Sequence, residues 1–256
     1  MKRQLLLGAA AAALLSAPAM AGERFDAGIL SGELSANVTM TSDYIFRGVS
    51  QTDEGPAIQG GFDYVMDTGL YVGTWASNVD FANSAEFDFY GGFSQTIYFE
   101  ECFDKGALEA RGCGTPTLTY DVGVIYYAYP GSYDQTAEDD MVEIYGKLGL
   151  DFGVISFDTG VYYSPDFTAT AGEQEGWYYY GGATLPLEDH IGLPVSLDGR
   201  IGLQDVENAG DYTEWEIGLN VTAFTLDWRV AYTDTDIEPE ADISDSSFYI
   251  SVGKSF

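Results

Sequence analysis

Basic residues are scarce in this 256-residue chain. Ten Lys and Arg stand against 41 Asp and Glu, a formal net charge of −31. Ten scattered cations cannot neutralise a run of phosphates, and the overall field repels a polyanion, so nucleic acid is excluded as a partner. Histidine occurs once, as His190. That leaves little for general acid–base or nucleophilic catalysis, which needs an imidazole held beside its partner. Cysteine occurs twice, as Cys102 and Cys113, with no further thiol or imidazole nearby to complete a metal site. Beyond residue 21 there is no long hydrophobic run, so no helix of that part can cross a bilayer. Strands escape this test, because alternating residues cancel in any window average.

The N-terminus reads as a leader. Met1-Lys2-Arg3 is basic, Leu5 to Leu15 is apolar but too short to span, and Ala19-Met20-Ala21 is a small-x-small cleavage site. Residues 1–21 are therefore expected to be a cleaved secretory signal peptide, and residues 22–256 a single domain. In an exported protein an even cysteine count predicts one disulfide, Cys102 to Cys113.

What is abundant is glycine (31), tyrosine (19) and phenylalanine (15). A disordered acidic chain is poor in aromatics, so this chain folds. From Leu34 onward apolar and polar residues alternate with period two, as in half-buried strands. Leu34, Ala36, Val38 and Met40 oppose Ser35, Asn37, Thr39 and Thr41. Phe87, Phe89 and Phe93 oppose Glu86, Asp88 and Ser94. Val142, Ile144 and Leu148 oppose Glu143, Tyr145 and Lys147. Trp215, Ile217 and Leu219 oppose Glu214, Glu216 and Asn220. About twelve such segments, each about ten residues long, predict an all-β fold: a single antiparallel transmembrane β-barrel with both termini on the periplasmic side.

The connections alternate in kind. Tight turns are expected at 66–69, 151–153 and 222–224, and longer polar loops at 77–85, 130–140, 164–176, 205–211 and 234–245. Two larger connections, 98–116 with both cysteines and 186–194 with His190, fall on the tight-turn side. Aromatics at strand ends on the apolar parity (Tyr44, Phe46, Tyr163, Trp177, Tyr179, Trp228, Tyr232) are expected to form interface girdles. They weigh against a soluble β-sandwich, which also alternates. The last strand carries Phe248, Ile250, Val252 and the terminal Phe256 on one parity. It is similar to the assembly signal of bacterial outer-membrane proteins, which implies the barrel-assembly machinery as a partner. Lys254 departs from that pattern.

One segment stands apart: SDYIFRGVSQTDEGPAIQGGFDY at residues 42–64, followed by GLYVGTWASNVDF at 69–81 and EFDFYGG at 86–92. It resembles the signature of the TorF porin family, also known as Gcw_chp. The likeness spans most of the chain after residue 21 and is sharp over about residues 34 to 92. It implies an outer-membrane barrel of proteobacteria and fixes no substrate. The segment reads as a hairpin whose first strand runs to about Gln51, with Tyr44 and Phe46 toward lipid, Arg47 inward, and a turn at 52–55. Arg47 either projects into a pore mouth or pairs with an inward carboxylate and braces the wall.

On the inward parity lie ten acids, Asp63, Glu86, Asp88, Asp121, Glu143, Asp158, Asp198, Glu214, Glu216 and Asp227, against four bases, Arg47, Lys147, Arg200 and Arg229. A water-filled lumen explains such charge, since isolated buried charges are costly. Glu143, Glu214, Glu216 and Asp227 are expected to be the unpaired share. The leading expectation is a porin-like, cation-preferring channel for small hydrophilic solutes or ions, lined by Arg47, Asp63, Glu143, Lys147, Arg200, Glu214, Glu216, Asp227 and Arg229. The alternative is a non-conducting structural or surface-binding barrel, its charges paired into closed networks and its lumen narrowed by Tyr71, Trp75, Tyr127, Tyr145 and Tyr249. Outer-membrane lipid and lipopolysaccharide are the expected surroundings. No catalytic residue, cofactor or dedicated metal site is expected. The acidic stretches 138–140 and 234–242 lack EF-hand spacing and read as exterior loops able to hold divalent cations diffusely.

Overall fold

The computed structural model describes residues 22–81, 85–99, 116–130, 140–167, 174–208, 210–238 and 242–256. Residues 1–21, expected to be a signal peptide, and Cys102 and Cys113, expected to form a disulfide, lie outside the described residues, as does the His190 side chain.

The described residues form fifteen strands: β1 Glu23–Phe25, β2 Gly32–Thr41, β3 Ile45–Phe46, β4 Val49–Ser50, β5 Ala57–Met66, β6 Leu70–Asn78, β7 Ala85–Tyr98, β8 Thr117–Ala128, β9 Met141–Asp151, β10 Ser156–Ser164, β11 Gly176–Pro186, β12 Val195–Val206, β13 Gly210–Ala223, β14 Leu226–Thr235 and β15 Ser247–Ser255. A short helix, α1, spans Glu188–Ile191. From β5 to β15 each strand pairs antiparallel with the next, and β2 pairs with both β15 and β5, so twelve strands close into a barrel. Closure removes the open edges that a sheet cannot leave in hydrocarbon.

The seam lies at β2. There β15 covers positions Asn37 to Thr41, and Phe256 exchanges backbone hydrogen bonds with Ala36 at 2.8 and 3.1 Å. Below that point β1 takes over the same edge, pairing Phe25 with Gly32 and Glu23 with Leu34. Alternation did not reveal β1. Arg24 anchors it by a forked contact to Asp67 in the β5–β6 turn, at 2.7 and 3.1 Å. The guanidinium holds this exposed carboxyl below its usual range.

Alternation sorts the wall as expected. In β9, Met141, Glu143, Tyr145 and Lys147 are buried inside, while Val142, Ile144 and Leu148 are exposed outside. The outward set is apolar around the whole circumference, including Val38, Ile58, Phe89, Val124, Ile201, Ile217 and Ile250. A patch of that extent is not left in water by a soluble monomer. It fits a lipid-facing band. Trp177, Tyr179 and Trp228 lie outward in this band, and Phe248, Ile250 and Phe256 are likewise exposed.

Four expectations are corrected. The first strand ends at Thr41 rather than Gln51. The chain leaves the ladder because Asp43 accepts hydrogen bonds from Ser50 Oγ (2.6 Å) and Thr52 Oγ1 (2.9 Å), gathering residues 42–56 into an insert. The insert folds into the barrel, so Tyr44 and Phe46 are buried rather than in a lipid girdle. Its turn is Arg47–Gly48, both at positive φ, between β3 and β4. That is the primed geometry that matches strand twist. Third, the stretch 205–211 is a tight turn, since Asp205 pairs with Asp211 in the ladder. Fourth, the expected turn at 52–55 is present, with Gly55 N–H donating to the Thr52 carbonyl at 2.8 Å, but it joins the insert to β5 rather than linking two long wall strands.

Inside, tyrosine rings lie over glycines of neighbouring strands. A Cβ at Gly73 would sit 2.3 Å from the Tyr90 ring, one at Gly123 2.5 Å from the Tyr145 hydroxyl, and one at Gly202 2.5 Å from the Tyr178 hydroxyl. A fixed cross-section needs large and small residues side by side, which accounts for the richness in both types. Gly73→Ala should therefore displace Tyr90 and cost about 1–3 kcal/mol. Gly181→Ala, where a Cβ meets nothing within 4 Å, should be near neutral. Urea unfolding in detergent micelles compares the two, and equal effects would refute the ring-over-glycine packing.

Candidate functional site in the barrel lumen

The insert carries Arg47 across the barrel. Its Nη2 lies 2.8 Å from Glu143 Oε2 on β9, and its Nη1 donates to Gln204 Oε1 on β12 at 2.7 Å. Glu143 also accepts from the Tyr127 hydroxyl at 2.9 Å. The guanidinium lies 4.1 Å from the Tyr178 ring centre and 4.6 Å from that of Phe46, within cation–π range. The Tyr212 hydroxyl donates to the Arg47 carbonyl. Arg47 and Glu143 are 3% and 1% exposed, so the pair works in a dry setting where screening is weak. At the tip, a Cβ on Gly48 would meet Glu214 Cβ at 2.8 Å and the Thr235 methyl at 2.5 Å. The hairpin tip thus presses against β13 and β14.

Lys147 pairs with Asp121 at 3.0 Å, and Asp121 accepts from the Tyr71 hydroxyl at 2.6 Å. Arg200 Nε lies 3.2 Å from Glu214, which accepts from Tyr178 at 2.6 Å. Arg229 bridges Asp198 (2.7 Å) and Glu216 (2.6 Å), and Tyr249 donates to Glu216 at 2.7 Å. Asp63 accepts from the Tyr90 hydroxyl at 2.6 Å. Asp227 sits apart at the open β13–β14 end, accepting from Thr222.

Each of the four inward bases is thus in an ion pair. Glu143, Glu214 and Glu216 are therefore not the unpaired acids the sequence suggested. Among the described residues Asp63, Glu86, Asp88, Asp158 and Asp227 are the inward acids without an ion-pair partner. Register explains the exchange: Arg200 stands directly opposite Glu216 in the ladder but reaches Glu214, which leaves Glu216 to Arg229. Gln204, Tyr162, Tyr178 and Phe167, which enclose Arg47, were not singled out by sequence. Their inward parity was legible for Tyr178 and Gln204, but their convergence on one cation was not.

The two halves of the lumen differ. Toward the end that carries the insert, Glu86, Asp88, Glu143 and Glu214 are sealed, at 0–1% exposure. Toward the opposite end Arg229, Asp198 and Arg200 keep 20–24% of their side chains exposed. The site is a charged vestibule closed by the insert. No group of three or more metal-ligating side chains occurs among the described residues.

A family model described as "Bacterial protein of unknown function (Gcw_chp)" matches residues 27–256. The fold is similar to a structure named "KdgM porin", with TM-score 0.52 and 8% identity over 87% of this chain and 98% of that one. It is also similar to a NanC porin structure, with TM-score 0.51 and 11% identity over 86% of this chain and 97% of that one. No curated protein matches the sequence.

Removing one partner of a buried pair strands the other charge, at roughly 3–5 kcal/mol. Arg47→Ala should lower stability by about that amount and make residues 42–56 cleavable by protease. Arg47→Met combined with Glu143→Gln should recover most of the loss. Equal losses in the single and double variants, read by unfolding in micelles, would show that the ion pair does not hold the insert.

Proposed function

The chain belongs to the Gcw_chp family, and we propose that it is a narrow, porin-like channel of the bacterial outer membrane that prefers small cations. The observation that carries this reading is the build of the closure. The sealed half of the lumen is shut by an insert fastened through polar contacts of Arg47 and Tyr44, whereas charged side chains of the wall toward the other end keep 20–24% of their surface exposed. Fold likeness to porins supports the reading, as does the outward apolar band.

Arg47, Lys147, Arg200 and Arg229, with Asp63, Glu143, Glu214, Glu216 and Asp227, are the proposed lining. Ten inward acids against four bases leave the lumen net negative even with every base paired, and a low-dielectric wall focuses that field on the aqueous path. Outer-membrane lipid and lipopolysaccharide would surround the band. Phe248, Ile250, Val252 and Phe256 would be read by the barrel-assembly machinery, after residues 1–21 direct export. Cys102 and Cys113 would close a disulfide on the periplasmic side. No enzymatic activity is proposed.

A second reading, a non-conducting structural barrel, draws on the burial of the Arg47–Glu143 pair. Purified protein in a planar bilayer separates the two. The wild type should give small currents whose reversal potential across a salt gradient has the cation sign, and Arg47→Ala should raise conductance severalfold. An anion sign overturns the selectivity, and silence of both proteins overturns the channel.

Topology has its own check. With the insert end outward, a cysteine at Asp236 should label on intact cells, and one at Asp67 should label after the outer membrane is permeabilised. The opposite pattern would invert the barrel.

A further inference from the structure

We infer that Glu86 and Asp88 form a cation-binding site inside the barrel, holding one small cation from solution between their carboxylates. The two side chains project from β7 to the same interior face and are completely buried. Two residues apart on one strand, their carboxyl groups are neighbours on that face and interact. Both oxygens of Asp88 and Oε2 of Glu86 accept no hydrogen bond from any donor among the described residues.

Among the described residues the surroundings supply no positive charge. Tyr44 of the insert donates to Glu86 Oε1 at 3.2 Å, and Tyr129 bonds the same carboxyl. Trp75 on β6 and Tyr127 on β8 stand opposite Asp88 in the ladder, and Ser77 stands opposite Glu86. Glu143 is the next carboxylate, and Arg47 is already held by it. Lys147, Arg200 and Arg229 are each bound to other acids. Two neighbouring carboxylates without a counter-charge cannot both stay ionised in a dry interior. The neutralising charge comes from outside the chain.

Two cations share this chemistry. A hydron fits between the oxygens as they stand. A hard metal ion, Na⁺ or Ca²⁺, would part the carboxylates and take their oxygens as ligands. The site deepens the cation-preferring reading and rests on the same lumen, but binding is read here without current.

The experiment measures the thermal midpoint of the full barrel in detergent micelles, for wild type, Glu86→Gln, Asp88→Asn and the double variant. Gln at 86 keeps an acceptor for Tyr44, and each substitution removes an uncompensated charge, so folding is retained. In one arm NaCl or CaCl₂ replaces choline chloride at matched ionic strength and constant pH. In the other, pH rises from mildly acidic to alkaline in choline chloride alone. The wild type should respond by roughly 3 °C or more in one arm. It would rise with the metal, or fall as pH rises because the folded state then loses its bound proton. The double variant should lose that response. A carboxylic-acid C=O stretch in the infrared, absent from the variants, identifies the hydron. Wild type and double variant responding alike in both arms would overturn the site. A barrel silent in planar bilayers but with the response intact would overturn the channel alone.

Discussion

Every backbone N–H and C=O of a chain in hydrocarbon must find its partner within the chain, and here that constraint is met by β2. The strand has two edges, and both must be covered. One is covered by β5; the other is shared between β15, which ends at Ser255, and β1, which takes over where β15 stops. Once the ring is closed, strand number sets its cross-section, and side chains must meet that size. Outward residues become apolar because lipid is their solvent. Inward residues must fill or wet a fixed bore. Tyr90 over Gly73 and Tyr145 over Gly123 are local answers to that geometry, each a large ring accommodated by a missing Cβ.

Charge inside the bore follows a different logic. Burying an ion pair is weak support for stability, since desolvation can cancel the attraction. Such a pair does specify position, because a misplaced partner strands a charge. Arg47 is the clearest instance. It belongs to the insert, yet its partners lie on β9 and β12, so it fixes where the insert ends up rather than how well the wall closes. Lys147, Arg200 and Arg229 pair between wall strands and stiffen the bore itself. The two ends of the lumen differ for that reason: one is closed by an inserted segment, the other bounded by the wall.

Period-two alternation made the barrel legible, since a wall with lipid on one side and a polar bore on the other imposes it on every strand. The same rule misplaced residues 42–51. Tyr44, Phe46 and their neighbours alternate too, but a period reports local extension and not which wall a segment joins. The Asp43 side chain that turns the insert inward is one acid among 41. The turn at Arg47–Gly48 was hidden because Arg rarely takes positive φ, whereas Asp-Glu-Gly at 53–55 advertises a turn. The 205–211 stretch looked like a loop because it is polar, although Asp205 and Asp211 face each other in the ladder. Inward parity identified Lys147, Arg200 and Arg229, while Arg47 is turned inward by the insert; the partners of all four needed contacts between segments far apart in sequence.

The stretch that stands out in the sequence, about residues 34 to 92, contains β2, the insert, β5, β6 and the start of β7. Those elements are the seam strand, the segment that closes the lumen, and the strand carrying Glu86 and Asp88. The remaining wall, from β8 to β15, follows rules that any lipid-facing barrel must follow, and its likeness to porins at 8–11% identity reflects those rules. A generic wall can be rebuilt from alternation alone. An inward hairpin that uses a base to reach one carboxylate, while a hydroxyl of the same hairpin reaches another carboxylate that has no base, cannot. Tyr44 and Arg47 lie on one short insert, so the position of the closure and the environment of the buried acid pair are set by the same few residues. What sets this chain apart from a generic barrel is therefore concentrated where the insert meets β7 and β9, and not in the wall that surrounds it.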